Sequence, residues 1–535
     1  MASLLQLRDE AFQESEHAHN RLRHELAVFR NEGYEEGTRV GASYALVEES
    51  LMPQIQIGCL RLVPAFREQI ARINVEPDGN DPTVQEVLFS EGIANWNKMY
   101  EEVDDEGGRM RSNIYWNLVC GNALSKIRWD PVKKLVRAES INPTSFAPDP
   151  ACTQSNFSDA GYVVHRNFHN RAYMRKHYPD WSPPALAWSE SSRASSRRPD
   201  SRHCVDEIWM HRDVAEDCGI RVSDTKREVI LVKLIDDTLY KAQGSPYWFP
   251  GFPFAHWRNF VDLLDEGKPH GFWGYGYGTL AWPQQKMLDE FISNFILILR
   301  NLGIGRFIAK DGAIDEDQIS PLQGAILRMN EGFDIGDLQH LPPEIVPPVL
   351  IEFIQFISGI MTDMMPSLSS IFSGEPPYAG ASGRAVESLR FANFNQLSDN
   401  IREMNEFRLR RMRIKVAVLQ QFARRPLRPH LWRGGLDMQD PFPEEARHVG
   451  YRLSMPDLTA LPNTPAGKLQ MLQVLGSLGL QPKDPLDILG LTKGYGWTSE
   501  DFTMVPHGLG NPTPTNGQVD EEVLSGQEMA MRAER

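Results

Sequence analysis

The spacing of apolar positions changes along the chain, and each change marks a different kind of element. Residues 1–50 read as a polar, helix-prone arm. Helical spacing follows over 52–73, 83–99 and 107–121, the first stretch closed by Pro77 and Gly79. The run Ile127-Arg128-Trp129-Asp130-Pro131 then reads as a strand meeting a turn. Alternating or β-branched residues predict strands at 135–141, 160–166, 205–211 and 228–234. Residues 189–201 (SESSRASSRRPDS) form a low-complexity basic serine loop. Residues 247–278 are dense in Gly, Pro and aromatics (PYWFPGFPF, HGFWGYGYG) and predict a rigid, irregular connector. There is no internal repeat.

The next hundred residues hold two helices with unusual faces. Over 284–301, Leu288, Phe291, Ile292, Phe295, Ile296, Ile298 and Leu299 cover one side, opposite Lys286, Asp289, Glu290, Ser293, Asn294 and Arg300. Over 349–363 the apolar residues sweep about 220° and leave a narrow polar stripe of Glu352, Gln355, Gly359, Thr362 and Asp363. One packing partner covers an arc of roughly 100° or somewhat more, so this helix needs two partners at least. It is either a core helix of a large domain or a helix wedged between neighbouring subunits. Between the two helices lie a strand-like Arg306–Ala309, an acidic turn Asp315-Glu316-Asp317 and an apolar stretch at 325–329. Residues 365–383 (MPSLSSIFSGEPPYAGASG) are too long for an idle connection. A helix over 384–423, roughly 60 Å long, follows, with Phe394, Leu397, Ile401 and Met404 as its packed stripe.

Charge sharpens this picture. The 535 residues carry a net charge of −15, which argues against a protein gripping nucleic acid over a broad surface. Residues 302–346 hold three bases and eight acids, whereas 402–433 hold ten bases and two acids. Such segregation fits opposite-sign surfaces meeting, or two solvated faces. The basic run Arg408, Arg410, Arg411, Arg413 and Lys415 is open to the same two readings. Composition is that of a globular protein with several structural units. Five cysteines without CxxC spacing fit a reducing compartment, and the first residues carry no signal-peptide pattern. The expectation is a soluble protein made inside the cell.

In order and spacing these elements resemble the portal protein, or head-to-tail connector, of tailed double-stranded DNA bacteriophages, of the short-tailed kind. The resemblance covers most of residues 51–423. YWNLVCGNALSKIRWDP is similar to the family's helix, small Gly turn and strand ending in a basic-Trp-Asp-Pro passage; INPTSFAPDP with DAGYVVHRNF looks like the wing β-domain. SPYWFPGFPFAHWR and GFWGYGYGTLAWPQQKMLDEF look like the lead-in to the first stem helix, and ASGRAVESLRFANFN opens the long helix. The resemblance implies an α+β, mainly helical portal fold with wing, stem, clip and crown regions, assembled as a dodecameric ring. On that scheme residues 1–50 are an N-terminal arm, 51–277 the wing, 278–301 the first stem helix, 302–348 the clip and 349–364 the second stem helix. Residues 365–383 are the tunnel loop, 384–460 the long helix and wing return, 461–506 a crown expected to be helical over 462–480 and 484–491, and 507–535 a polar tail.

The resemblance also implies roles. Glu352, Gln355 and Asp363 would line the DNA channel, and Ser367, Ser369, Ser370 and Tyr378 would touch DNA from the tunnel loop. Arg306, Lys310, Asp315, Glu316 and Asp317 of the clip would meet the packaging motor and later the adaptors. Arg408, Arg410, Arg411, Arg413 and Lys415 would pair with acids of adjoining subunits or face packaged DNA. Implied partners are eleven further copies, double-stranded DNA, the terminase large subunit, head–tail adaptor and tail proteins, the major capsid protein and scaffold, with no membrane insertion. The place is the portal vertex of the virion, after synthesis in the host cytoplasm. The alternative is another virion structural protein, an internal or tail scaffold without a channel.

No pattern of catalysis stands out. His165 and His169 lie four apart but follow a strand-like Tyr162-Val163-Val164 and lack an HExxH arrangement. There is no P-loop and no Gly-x-Ser-x-Gly elbow, and Gly274–Gly278 lacks the context of a nucleotide fingerprint. Asp104-Asp105-Glu106 reads as a solvated acidic turn. The expectation is a non-enzyme without metal or cofactor.

Overall fold

In the computed structural model the described residues are 2–30, 53–68, 70, 73–78, 83, 84, 86, 87, 90, 93, 105–132, 135–181, 202–222, 226–261, 270–303, 306–309, 338–341, 348–368, 396–422, 450–455, 480–482 and 502–504. The chain divides into two units, residues 1–457 and 458–535. Helices and antiparallel sheets mix in the first, an α+β architecture. The predicted loop at 189–201, the stretch 325–329, most of the helices at 83–99, 462–480 and 484–491, and the tail lie outside the described residues.

Two helices open the chain, α1 (Ala2–Glu14) and α2 (Glu16–Phe29). They are no free arm: Leu4 and Ala11 of α1 are buried in one core, and Leu22 of α2 in another. After α3 (Gln54–Glu68) and the short strand β1 (Asn74–Pro77) comes α4 (Glu106–Cys120). The Asp105 side chain caps α4 by accepting from Gly108 N–H at 3.2 Å. Gly121 ends it at φ +66°, where an added Cβ would also overlap the Tyr275 backbone.

The strands β2 (Asn122–Asp130) and β3 (Leu135–Ile141) form an antiparallel pair, with β3 at the predicted bounds. On the other side of β2 lies β9 (Phe254–Arg258), giving the order β3-β2-β9. This corrects the irregular connector expected over 247–278. Phe254, Ala255, His256 and Trp257 are all buried, so both faces are covered and no alternation shows in the sequence.

A five-stranded antiparallel sheet follows the order β4 (Phe146–Pro148), β5 (Tyr162–His169), β6 (His203–His211), β7 (Val229–Ile235) and β8 (Thr238–Gly244). Between these strands come α5 (Arg171–His177) and α6 (Arg212–Asp217). The period of two sorts its side chains. Ile208, Met210, Ile230, Val232 and Leu234 share a core with Leu4, Ala11 and Ala215, while Trp209 and Leu231 join the larger core. The β7–β8 hairpin turns at Asp236 and Asp237, both at positive φ (46° and 66°). Asp236 accepts from the Cys204 N–H at 2.9 Å, and Asp237 pairs with Arg8 of α1, tying the tip to its surroundings.

The helix α7 (Tyr277–Gly303) spans the first stem prediction, then β10 (Arg306–Ala309) pairs antiparallel with β11 (Leu338–Leu341). Next come α8 (Pro348–Met364) and α9 (Ser398–Phe422), and β12 (Tyr451–Ser454) returns to pair with β1. Residues 384–395 of the predicted long helix lie outside the described residues. In the second unit β13 (Leu480–Pro482) pairs antiparallel with β14 (Phe502–Met504), and only Leu480 falls within a stretch read as helical.

The start of α7 is held by Glu25 of α2. Its fully buried Oε1 accepts from the Gly276 N–H at 3.0 Å and from the Thr279 hydroxyl. Burial raises this carboxyl above its ordinary 4.5, against the pull of those donors and of Arg21. A group raised on folding contributes stability that is full below the unfolded value and lost as pH rises through the folded one. Glu25→Gln should therefore gain stability relative to the parent as pH rises from 4 to 8, and the gap should close at the acid end. Paired denaturation curves across that range check it.

Candidate functional site

The helices α7 and α8 pack together through Leu288, Ile292, Ile357 and Met361, with Phe291 and Phe353 rings 4.4 Å apart. What α8 leaves uncovered is ordered. Gln355, Gly359, Glu352 and Asp363 are exposed and fall within about 80° of one another at 100° per residue. On one side of this stripe lies Ile351, 47% exposed, and on the other lie Val349 and Phe356, 67% and 61% exposed. A polar strip thus runs between two wet apolar edges. The sequence counted these three among the apolar arc but could not say which apolar residues a single chain would leave open. On α7, Asp289 departs from its predicted polar face: it is buried and accepts from Gln285 Nε2 at 2.9 Å.

Beyond α8 the chain turns in at once. Ser367 is fully buried, because Gly58 of α3 leaves the room that Met365 and Ser367 fill. Arg61 donates to the Ser367 carbonyl at 3.4 Å. The expectation that Ser367 touches DNA is therefore corrected. Ser369, Ser370 and Tyr378 lie outside the described residues, as do Lys310, Asp315, Glu316 and Asp317. Arg306 begins β10, opposite Leu341.

The basic helix is also corrected. Its cations were expected to reach other subunits or DNA, but most are satisfied within the chain. Arg411 pairs with Glu106, and Lys415 reaches the same carboxylate at 3.1 Å; all three are buried. Arg410 donates to Glu406 at 3.0 Å, Ser155 Oγ at 2.7 Å and the His256 carbonyl at 3.1 Å. Arg408 is buried, and of the five only Arg413 is exposed. The cause is placement: α9 lies on β2, β3 and β9 rather than at the surface. Glu106 was read as part of a solvated turn, and its burial follows from opening α4 beneath α9. Asn400 fixes the other end, accepting from Trp257 Nε1 at 2.9 Å and donating to Asn117 Oδ1 at 3.0 Å.

His165, one of the histidines weighed as a ligand, is a buried core residue that burial pushes down to about 3, with Lys126 adding to the effect. Among the described residues no three His, Cys, Asp or Glu side chains gather as a metal site. No helix among them is long and apolar enough to cross a membrane. No protein-family model and no curated protein sequence matches the chain.

Burial alone would raise the Glu106 carboxyl, but Arg411 and Lys415 pull it down to about 2. A depressed carboxylate contributes stability that is present above the unfolded value and lost as pH falls through the folded one, here between about 4.5 and 2. Glu106→Gln would strand two buried cations and should cost about 3–5 kcal/mol at pH 7. Urea denaturation at pH 7 and at pH 3 checks both size and sign, since the deficit should shrink in acid.

Proposed function

We propose that this chain is a subunit of a phage portal ring, the conduit for DNA packaging and ejection at one capsid vertex. The exposed arc of α8 carries the reading: a polar stripe with two acids, flanked on both sides by apolar side chains that a single copy leaves wet. Full burial of such a side chain is worth about 1.5–3 kcal/mol, and Val349, Ile351 and Phe356, 67%, 47% and 61% exposed, forgo roughly half of it each. A head-to-tail ring covers both flanks with two neighbours while the stripe between them stays open to the axis. With Glu352 and Asp363 repeated around that axis, the lumen repels phosphates and a duplex slides without sticking.

The order of elements supports the same reading. The pair α7 and α8 brackets the β10–β11 ladder, in the place of the clip, and α9 runs back onto the wing sheets. On this reading the ring has about twelve copies. The clip docks the terminase large subunit and then adaptor and tail proteins, and the wing meets capsid protein and scaffold.

Native mass spectrometry with negative-stain images of the purified chain tests the ring. A closed ring with a hole wide enough for a duplex is expected, and a compact dimer or tetramer without a hole would sink the proposal. Phe356→Glu should abolish the ring and leave the melting temperature of the subunit unchanged, because the side chain is already exposed. Glu352→Gln with Asp363→Asn should keep the ring and alter DNA packaging or retention; an unchanged yield counts against the channel-lining role.

A further inference from the structure

A cavity of about 800 Å³ opens on the five-stranded sheet, between the chain leaving α5 and the β7–β8 hairpin. Tyr178, Trp181 and Tyr240 wall it, Tyr178 and Tyr240 meeting edge to face at 5.3 Å. Lys233 and Lys241 line it as well. They stand directly opposite each other on β7 and β8, an arrangement in which like charges oppose pairing. Behind them the count of charge stays positive. Lys233 reaches Glu207 at 2.9 Å, but Lys126 claims the same carboxylate, and His165 beside it is held neutral by burial. Two lysines thus share one acid, and among the described residues of the cavity lining Asp180 is the only acid. The Lys233 ammonium lies 5.5 Å from the centre of the Tyr178 ring, so cation and aromatic face are presented together.

We propose that this cavity binds a nucleotide, its base stacked on the Tyr178–Tyr240–Trp181 wall and its phosphate on Lys241 and Lys233. An anion there relieves the repulsion between the two lysines, and aromatic walls offer a flat base more than they offer inorganic phosphate. The ligand is either a free mononucleotide or one nucleotide of a single strand. The inference is independent of the ring reading, because the cavity lies within one copy and uses none of α7 or α8.

The test is fluorescence anisotropy with labelled oligo-dT on the full chain, with AMP, inorganic phosphate and a poly-glutamate peptide as competitors. Lys241→Glu and Tyr240→Ala should each weaken oligo-dT binding by about tenfold, while Arg402→Glu, the same charge change at an exposed site on α9, leaves it within about twofold. Lys241→Gln serves as the milder variant, and melting curves establish that each variant is folded. Competition by AMP assigns the cavity to a free nucleotide, and binding of the oligonucleotide alone assigns it to a strand; either outcome supports the proposal. Equal losses in Lys241→Glu and Arg402→Glu, competition by poly-glutamate as strong as by AMP, or no binding of AMP and oligo-dT at all would overturn it.

Discussion

One carboxylate fixes where the 25-residue helix α9 can lie. Glu106 accepts Arg411 and Lys415, which are one turn apart on α9, in a site from which water is largely excluded. A buried ion group of this kind is a poor source of net stability, since desolvation offsets much of the attraction. It is a strong source of register. Sliding α9 by one turn would leave a cation without its acid, a penalty no apolar repacking of the same surface would impose. Asn400 adds a second fixed point through Asn117 and Trp257, and Gln421 a third through Trp248 and the Pro246 carbonyl. With α9 held at three heights, the sheet β3-β2-β9 and α4 are fixed relative to it.

The α7–α8 pair inherits its position from this body. Glu25 grips the start of α7, and the chain after α8 is pressed into α3 at Gly58. Both attachments are made at the ends of the pair, and the outward arc of α8 keeps Val349, Ile351 and Phe356 exposed. The geometry separates two jobs: the inner faces and ends of the helices serve the fold of one copy, and the outer arc is left for something else.

Much of this was legible in the sequence, and what was missed shares a cause. The strand β3 and the helices α4, α7 and α8 were found because each buries one face and leaves another open, which writes a period into the chain; β6 and β7, buried on both faces, were found from their β-branched and apolar residues. Strand β9 was missed because it is buried on both faces and set among Gly, Pro and aromatic residues. The burial of Glu106, Arg411 and Lys415 was missed because charged side chains read as surface unless their partners are known, and here the partners are about three hundred positions apart in the chain. The polar stripe of α8 was readable from angles alone. Which apolar residues flank it in the open was not, since that depends on where α7 lies.

The neutralisation of the basic helix changes how the charge of the chain should be understood. Residues 402–433 hold ten bases, yet Arg410, Arg411 and Lys415 spend their charge on acids and carbonyls of the same copy. Over its described part, residues 402–422, Arg402 and Arg413 are the bases left exposed. On α8 the acids Glu352 and Asp363 are exposed with no intrachain cation closing on them among the described contacts. Counting residues by type would have put a positive surface on α9, where the described cations are mostly paired, and passed over the exposed acids of α8. In the proposed ring the described charges on the open arc of α8 are acids, and at 0.15 M salt their field reaches only about 8 Å. In that ring, a repulsive wall of this range would keep phosphates off the side chains without opposing motion along the axis, which suits a passage better than a binding groove.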